Sequence, residues 1–175
     1  GIVGAIANTV FNGVFEANGN ITFANSGTKT FRNGIDGTGN INGAASGKFI
    51  VDGNTAIFGG TGIITLPVVG GMDIGNGTGC TVYLASGKTV NNNIALLNNT
   101  YFYLLGSEIT INGIVTGGSA TAHFVTNGLG KLVINNIGVA PVNFPVGATA
   151  VTYNPINIAN GGGLNYGVRV ENGIN

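Results

Sequence analysis

Charge is what this sequence has least of: Lys, Arg, Asp and Glu make up 7% of 175 residues, six basic against six acidic. Six scattered cations build no basic field, so neither nucleic acid nor an anionic membrane surface is an expected partner. The single cysteine, Cys80, excludes an internal disulfide and a cysteine-based metal site. No stretch has a charged start, an apolar centre and a small-residue cleavage site, and no apolar run is long enough to span a bilayer. Membrane insertion is therefore not expected, and the start at Gly1 reads as that of a mature or excised product. Good helix formers are also scarce, Gly interrupts the chain every few residues, and no long stretch keeps the i, i+3, i+4 pattern.

What the chain has instead is Gly, Asn and short apolar runs. It contains 33 Gly and 26 Asn, with no Gln, beside 43% hydrophobic residues. Such Gly and Asn content often marks disorder, but here the Ile, Val, Leu and Phe alternate in short runs with enough apolar surface to offset the cost of ordering. Asn-Gly pairs, as at Asn12, Asn33, Asn42 and Asn112, fall between those runs and place together the two residues that best tolerate positive φ.

One block occurs twice. Residues 37–51 read GTGNINGAASGKFIV and 77–91 read GTGCTVYLASGKTVN, identical at seven of fifteen positions without a gap. Ser26 precedes Ser46 by twenty residues, and Gly106-Ser107 follows Ser86 at a similar distance, so the working period is near twenty. Strand centres at Phe23, Ile41, Ile64, Tyr83, Tyr103 and Phe124 follow the same spacing. If the block is one corner of a coil, Ser46 and Ser86 occupy equivalent turns two coils apart, and so do Asn40 and Cys80. The residue that exits each turn (Lys29, Lys48, Lys88 or Glu108) is expected on a solvated rim. Ahead of the repeat, 1–14 reads as an edge strand or a cap, and 14–25 as two short strands about an Asn-Gly turn.

Short strands with this period most economically stack as a parallel β-helix. The expected fold is all-β, with a solenoid of about 20 residues per coil over 1–136 and a small antiparallel β module over 137–175; the alternative is a pair of β-sandwiches. The boundary rests on a change of texture, since Pro141, Pro145 and Pro155 follow it and proline is confined to sheet edges and corners. Asn at equivalent turns is able to stack into side-chain ladders.

Chemistry is harder to find. The only histidine, His123, lies in the alternating stretch TAHFVTN without a second His or a nucleophile motif, and reads as a strand residue. Asp36, Asp52 and Asp73 are spaced so that they roughly share a face, yet each sits beside turn glycines and reads as a turn former rather than a catalytic acid. Neither Asp52 nor Asp73 opens a calcium loop, and the strings GGTG and GNGTG lack the lysine and helix of a phosphate loop. Alternation through Tyr101, Phe102 and Tyr103 sends the Phe inward and both tyrosines outward, where they are candidates for stacking on sugars. No catalytic residue, metal ligand or cofactor-binding residue is assigned, and no cofactor is expected.

The last third of the chain resembles a known kind of module. Residues 126–132, 144–147, 153–158 and 166–170 follow, in order, a T-x-G-x-G-x-L lead, an F-P-V-G phrase, a Y-x-P-V-x-I phrase with Ile156 at the Val position and an alternating strand. They come after residues 105–117 (LGSEITINGIVTG), which match in part an L-x-x-G-x-x-I-x-I-N-G-x-I-x-G phrase. This order is similar to segments near the ends of repeat regions in large secreted cell-surface proteins of the Bacteroidota. The resemblance implies an extracellular, adhesive or structural role at the cell surface. Taken with the low charge and the open strand edges of any stacked β body, it makes copies of the chain the expected partners, joined into a filament, with strand exchange as one means and surface glycans as further partners. Two other functions fit the composition: a carbohydrate-active or carbohydrate-binding β-helix, and an ice-binding solenoid. The latter lacks a regular Thr-x-Thr column in the sequence.

Overall fold

The computed structural model describes residues 2–3, 8–127, 129–137, 142–158 and 166–170. It is all-β, and the described residues contain no helix. Three strands per coil stack into three parallel sheets, each coil hydrogen-bonded to the one before it. Sheet A runs from Ile2–Val3 through Ile21–Phe23, Ile41–Asn42, Ile64–Thr65, Lys88–Asn91 and Glu108–Asn112 to Lys131–Ile137. Sheet B runs from Thr9–Phe11 through Thr28–Phe31, Lys48–Val51, Met72–Ile74 and Ile94–Leu96 to Val115–Gly117. Sheet C begins at Phe15–Glu16 and passes through Gly34–Asp36, Ala56–Phe58, Cys80–Leu84, Thr100–Tyr103 and Ala122–Val125 to Val146–Thr149. The architecture is the expected solenoid rather than a pair of sandwiches.

Alternation decides what enters the core. On sheet A the column Ile41, Ile64, Val90, Ile111 and Ile134 is buried, and on sheet C the column Phe58, Leu84 and Leu104 is as well. Phe58 meets Phe102 edge-on at 5.7 Å across the intervening coil, and Phe102 meets Phe124 of the next coil at 5.2 Å, so aromatic rings link the coils inside the tube. Burying one such ring contributes about 1.5–3 kcal/mol. The corners need residues without a Cβ: a side chain on Gly34, at φ 97°, would run into the carbonyl of Ile57 in the next coil.

The coils are unequal. Along sheet A the steps from Ile21 to Ile41, Ile64, Val90, Ile111 and Ile134 are 20, 23, 26, 21 and 23 residues. This inequality overturns the equivalence expected of the repeated block. Ser46 leads into Lys48–Val51 on sheet B and bridges to Val69, whereas Ser86 leads into Lys88–Asn91 on sheet A and donates to the carbonyl of Gly60. Asn40 enters sheet A and Cys80 opens a strand of sheet C. Two coils above Phe49 lies Ile94, so an offset of forty falls one strand short. The twenty-residue echoes do hold, because Thr28 pairs with Lys48 and Lys88 with Ile109, which aligns Ser26 with Ser46 and Ser86 with Ser107. The similar strings thus encode one local unit, a small-residue corner followed by a strand, used at two different corners.

Phe15–Glu16 and Ile21–Phe23 are the two short strands expected about the Asn18-Gly19 turn; they belong to sheets C and A, so the turn carries the chain from one face to the next. The chosen strand centres also lie on two faces, with Phe23, Ile41 and Ile64 on sheet A and Tyr83, Tyr103 and Phe124 on sheet C.

The two ends differ. At the C-terminal end, Tyr166–Val170 pairs antiparallel with Lys131–Ile137, Thr152–Tyr153 turns back on Val146–Thr149, and Val142–Phe144 pairs antiparallel with Ile156–Ile158. Pro145 and Pro155 flank these reversals, as their missing N–H requires. At the N-terminal end, sheets B and C stop at Thr9–Phe11 and Phe15–Glu16, whose outer edges pair with no described strand. Here the tube is filled by phenylalanines: Phe11 lies 4.7 Å from Phe15 and stacks on Phe31 at 5.1 Å, and Phe23 and Phe31 each meet Phe49 at 5.5 Å. Phe23, Phe31 and Phe49 are fully buried, while Phe11 and Phe15 in the first coil are only half-buried.

Candidate functional site

The aspartates spaced as if to share a face do not share one. Asp36 ends a strand of sheet C, Asp52 sits at the corner leaving sheet B, and Asp73 lies in mid-strand on sheet B. Asp36 Oδ1 accepts from the N–H of Gly37 at 2.7 Å, and Asp73 is held by Lys48 at 2.8 Å. Among the described residues, no three His, Cys, Asp or Glu side chains come together as a metal cluster.

Asp52 belongs to a corner with a cavity. A groove of about 300 Å³ crosses successive coils, lined by Arg32, Asn33, Asp52, Asn54, Asn76 and Thr78. Asp52 Oδ1 is buried there without a hydrogen-bond partner. Behind it lies Cys80, buried, with its thiol on the carbonyl of Val51 at 3.7 Å. Burial pushes the thiol up to about 11, with the Gly53 N–H opposing and the Asp52 carboxylate adding to the rise. A protonated, buried thiol is a poor nucleophile. What the groove offers is a carboxylate acceptor, a guanidinium and three amides, a set able to bind a neutral polyhydroxylated ligand.

His123 is a fully buried strand residue. Its Nδ1 lies 3.2 Å from the carbonyl of Ser119 and its Nε2 2.9 Å from that of Thr149, with Tyr101 edge-on to one side and Tyr153 at 5.2 Å on the other. The imidazole therefore fastens the C-terminal hairpin to the coil below. Phe102 points inward and is buried, and the two flanking tyrosines lie outside, with Tyr103 stacked on Tyr83 at 5.3 Å.

The lysines that exit the corners do not all lie on the rim. Lys48 sits on the rim as expected, but Lys29 and Lys88 are 1% and 4% exposed. The parity of the strand sends them inward: Lys88 aligns with buried Ile109 and Leu132, and Lys29 alternates with buried Phe31. Lys29 Nζ donates to Asn25 Oδ1 at 2.6 Å and to the Gly27 carbonyl at 3.0 Å. Lys88 Nζ donates to the carbonyls of Gly59 at 2.6 Å and Gly60 at 3.4 Å. Burial lowers the Lys88 ammonium to about 8 against a partial offset from Asp36, and lowers Lys29 as well. Both ammonium groups close corners by binding main-chain carbonyls.

An asparagine ladder is present, on the strands of sheet A rather than at the expected turns. Thr22, Asn42, Thr65, Asn91, Asn112 and Asn135 follow one another in register on its outer surface. Asn135 donates to Asn112 Oδ1 at 2.8 Å, Asn112 to Asn91 Oδ1 at 2.8 Å, and Asn91 to Thr65 Oγ1 at 3.3 Å.

No family model, curated protein or solved structure matches the chain.

Proposed function

We propose that this protein is an extracellular structural or adhesive β-solenoid that assembles with copies of itself through its open first coil. The observation that carries the reading is the asymmetry of the ends. Thr9–Phe11 and Phe15–Glu16 leave their outer edges free of any described strand, above half-buried Phe11 and Phe15. At the other end antiparallel strands are added to sheets A and C, and Val115–Gly117 of sheet B has no described strand beyond it, so that end offers edges to receive a first coil. Free strand edges template further pairing, and an interface that buries Phe rings gains apolar contact as well. The chain carries no net charge to repel its neighbours. Seating the first coil of one copy on the C-terminal strands of the next is a heterologous contact and builds a filament, whereas first coil against first coil closes a dimer. Negative-stain microscopy of the concentrated protein tests this: filaments are expected, and monodisperse single particles would overturn the reading.

A second reading, binding of surface glycans, is favoured by the groove at Asp52 and by the outward Tyr83–Tyr103 stack. Glycan-array binding that is lost in Asp52→Ala supports it, and an array without signal removes it.

A further inference from the structure

The ladder on sheet A has a companion. Two residues earlier on each strand, the same register aligns Asn20, Asn40, Ile63, Thr89, Thr110 and Val133, also on the outer surface. β-geometry sets the coils about 4.8 Å apart and the two ranks about 6.7 Å apart. Of the twelve positions, ten are Thr or Asn and two are aliphatic; none is charged, aromatic, Gly or Pro. Glu108 and Lys131, in register with each other, flank the two ranks on the same face, and Thr110 Oγ1 donates to Glu108 Oε1 at 3.4 Å. Sheet B carries Lys48 and Asp73 outside, and sheet C carries Tyr83, Tyr101 and Tyr103.

The array is also held in place. Besides the ladder bonds, Asn20 Oδ1 accepts from the N–H of Asn40 at 3.0 Å, and Asn40 Oδ1 from that of Ile63 at 2.9 Å. The β-branched Thr, Ile and Val have restricted χ1. Binding through such a face loses little side-chain entropy, so many weak contacts add up.

A rigid, uncharged grid of hydroxyls, amides and methyl groups is complementary to a partner that is itself neutral, hydrogen-bonding and periodic in two dimensions. A charged polymer finds only Glu108 and Lys131, of opposite sign and side by side at the margin of the ranks, and so no net counter-charge. A crystalline polysaccharide offers apolar sugar faces suited to aromatic rings, and the tyrosines are on another sheet. The spacing of the ranks is close to oxygen repeats of the hexagonal ice lattice. We propose that the outer face of sheet A binds ice: the Thr hydroxyls and Asn amides anchor water at lattice positions, and the methyl groups of Thr, Ile63 and Val133 order the water between them.

Ice-affinity partitioning and recrystallisation assays of the full chain test the proposal, with Thr110→Lys as the face variant and Ala95→Lys, outward on sheet B, as the control. Circular dichroism melting verifies that both variants fold. The wild type is expected to enrich in the frozen fraction and to suppress recrystallisation, Ala95→Lys to match it, and Thr110→Lys to partition like a bystander protein. Exclusion of the wild type from ice, including the case in which it sediments with chitin or cellulose instead, overturns the proposal. Equal loss in the two variants overturns it as well.

Discussion

The first and last coils are built from the same materials and finished differently. At the C-terminal end Phe144 is fully buried, three antiparallel pairings reverse the chain, and His123 clamps the hairpin at Thr149. At the N-terminal end Phe11 and Phe15 plug the tube but stay half-buried, and the strands that carry them are the last of their sheets. A stacked parallel coil satisfies its own edge only by adding another strand, so an end is finished either by antiparallel strands of the same chain, which become the new edges, or by a second molecule. The prolines mark the first solution at Pro145 and Pro155. The first coil, which has no proline among its described residues, is left for the second.

Paired substitutions sharpen this contrast. Phe144→Ala empties a fully enclosed site and is expected to cost about 3–5 kcal/mol, against about 1–2 kcal/mol for half-buried Phe11→Ala; urea midpoints measure both. Equal losses would mean that the first coil is as enclosed as the last. Glycines give the next comparison. A Cβ on Gly147 would press on the Thr152 carbonyl and lie 2.7 Å from His123 Nε2, whereas one on Gly13 meets nothing within 4 Å. Gly147→Ala is therefore expected to cost about 1–3 kcal/mol and Gly13→Ala less than about 0.5 kcal/mol. Similar melting temperatures for the two would break the contrast.

The middle coils add a pH signature that belongs to neither end. Lys88 titrates near 8 in the fold against an ordinary value of 10.5, so between those values the unfolded chain binds more protons and stability rises with pH. Cys80, raised from 9.0 to about 11, works in the opposite sense above pH 9. The gain is thus clearest from pH 8 to 9, where about 1 kcal/mol is expected from urea titrations. It should shrink in Lys88→Met, leaving only what buried Lys29 adds in the same sense; a slope unchanged in that variant would place its source elsewhere. Smallest in stability is Val10→Lys, on an outward, 49% exposed position of the first coil: less than about 0.5 kcal/mol, with loss of self-association. Sedimentation velocity reads the latter, and undiminished association would exonerate the first-coil edge.

How far the sequence revealed this depends on the length scale. Strands, corners and the all-β solenoid were legible because alternation and Gly-Asn punctuation are local. The C-terminal reversal was legible from Pro145 and Pro155, and Phe102 and the flanking tyrosines from parity alone. What depends on register was hidden. With coils of 20 to 26 residues, the string around Ser46 and its copy around Ser86 land on different sheets, and the Thr and Asn ranks of sheet A show no fixed spacing in the chain. The same blindness put Lys88 on the rim: a lysine after a Ser-Gly corner points outward on the Lys48 strand and inward on its own. Likewise Asp36, Asp52 and Asp73, close in spacing, scatter over a strand end, a corner and a mid-strand site.

The most direct test is hydrogen exchange of the wild type at low and at high protein concentration. Amides of 9–16 are expected to gain protection as concentration rises, in step with the association seen by sedimentation. Exchange in 9–16 that is independent of concentration would contradict the claim that the open first coil receives a second copy.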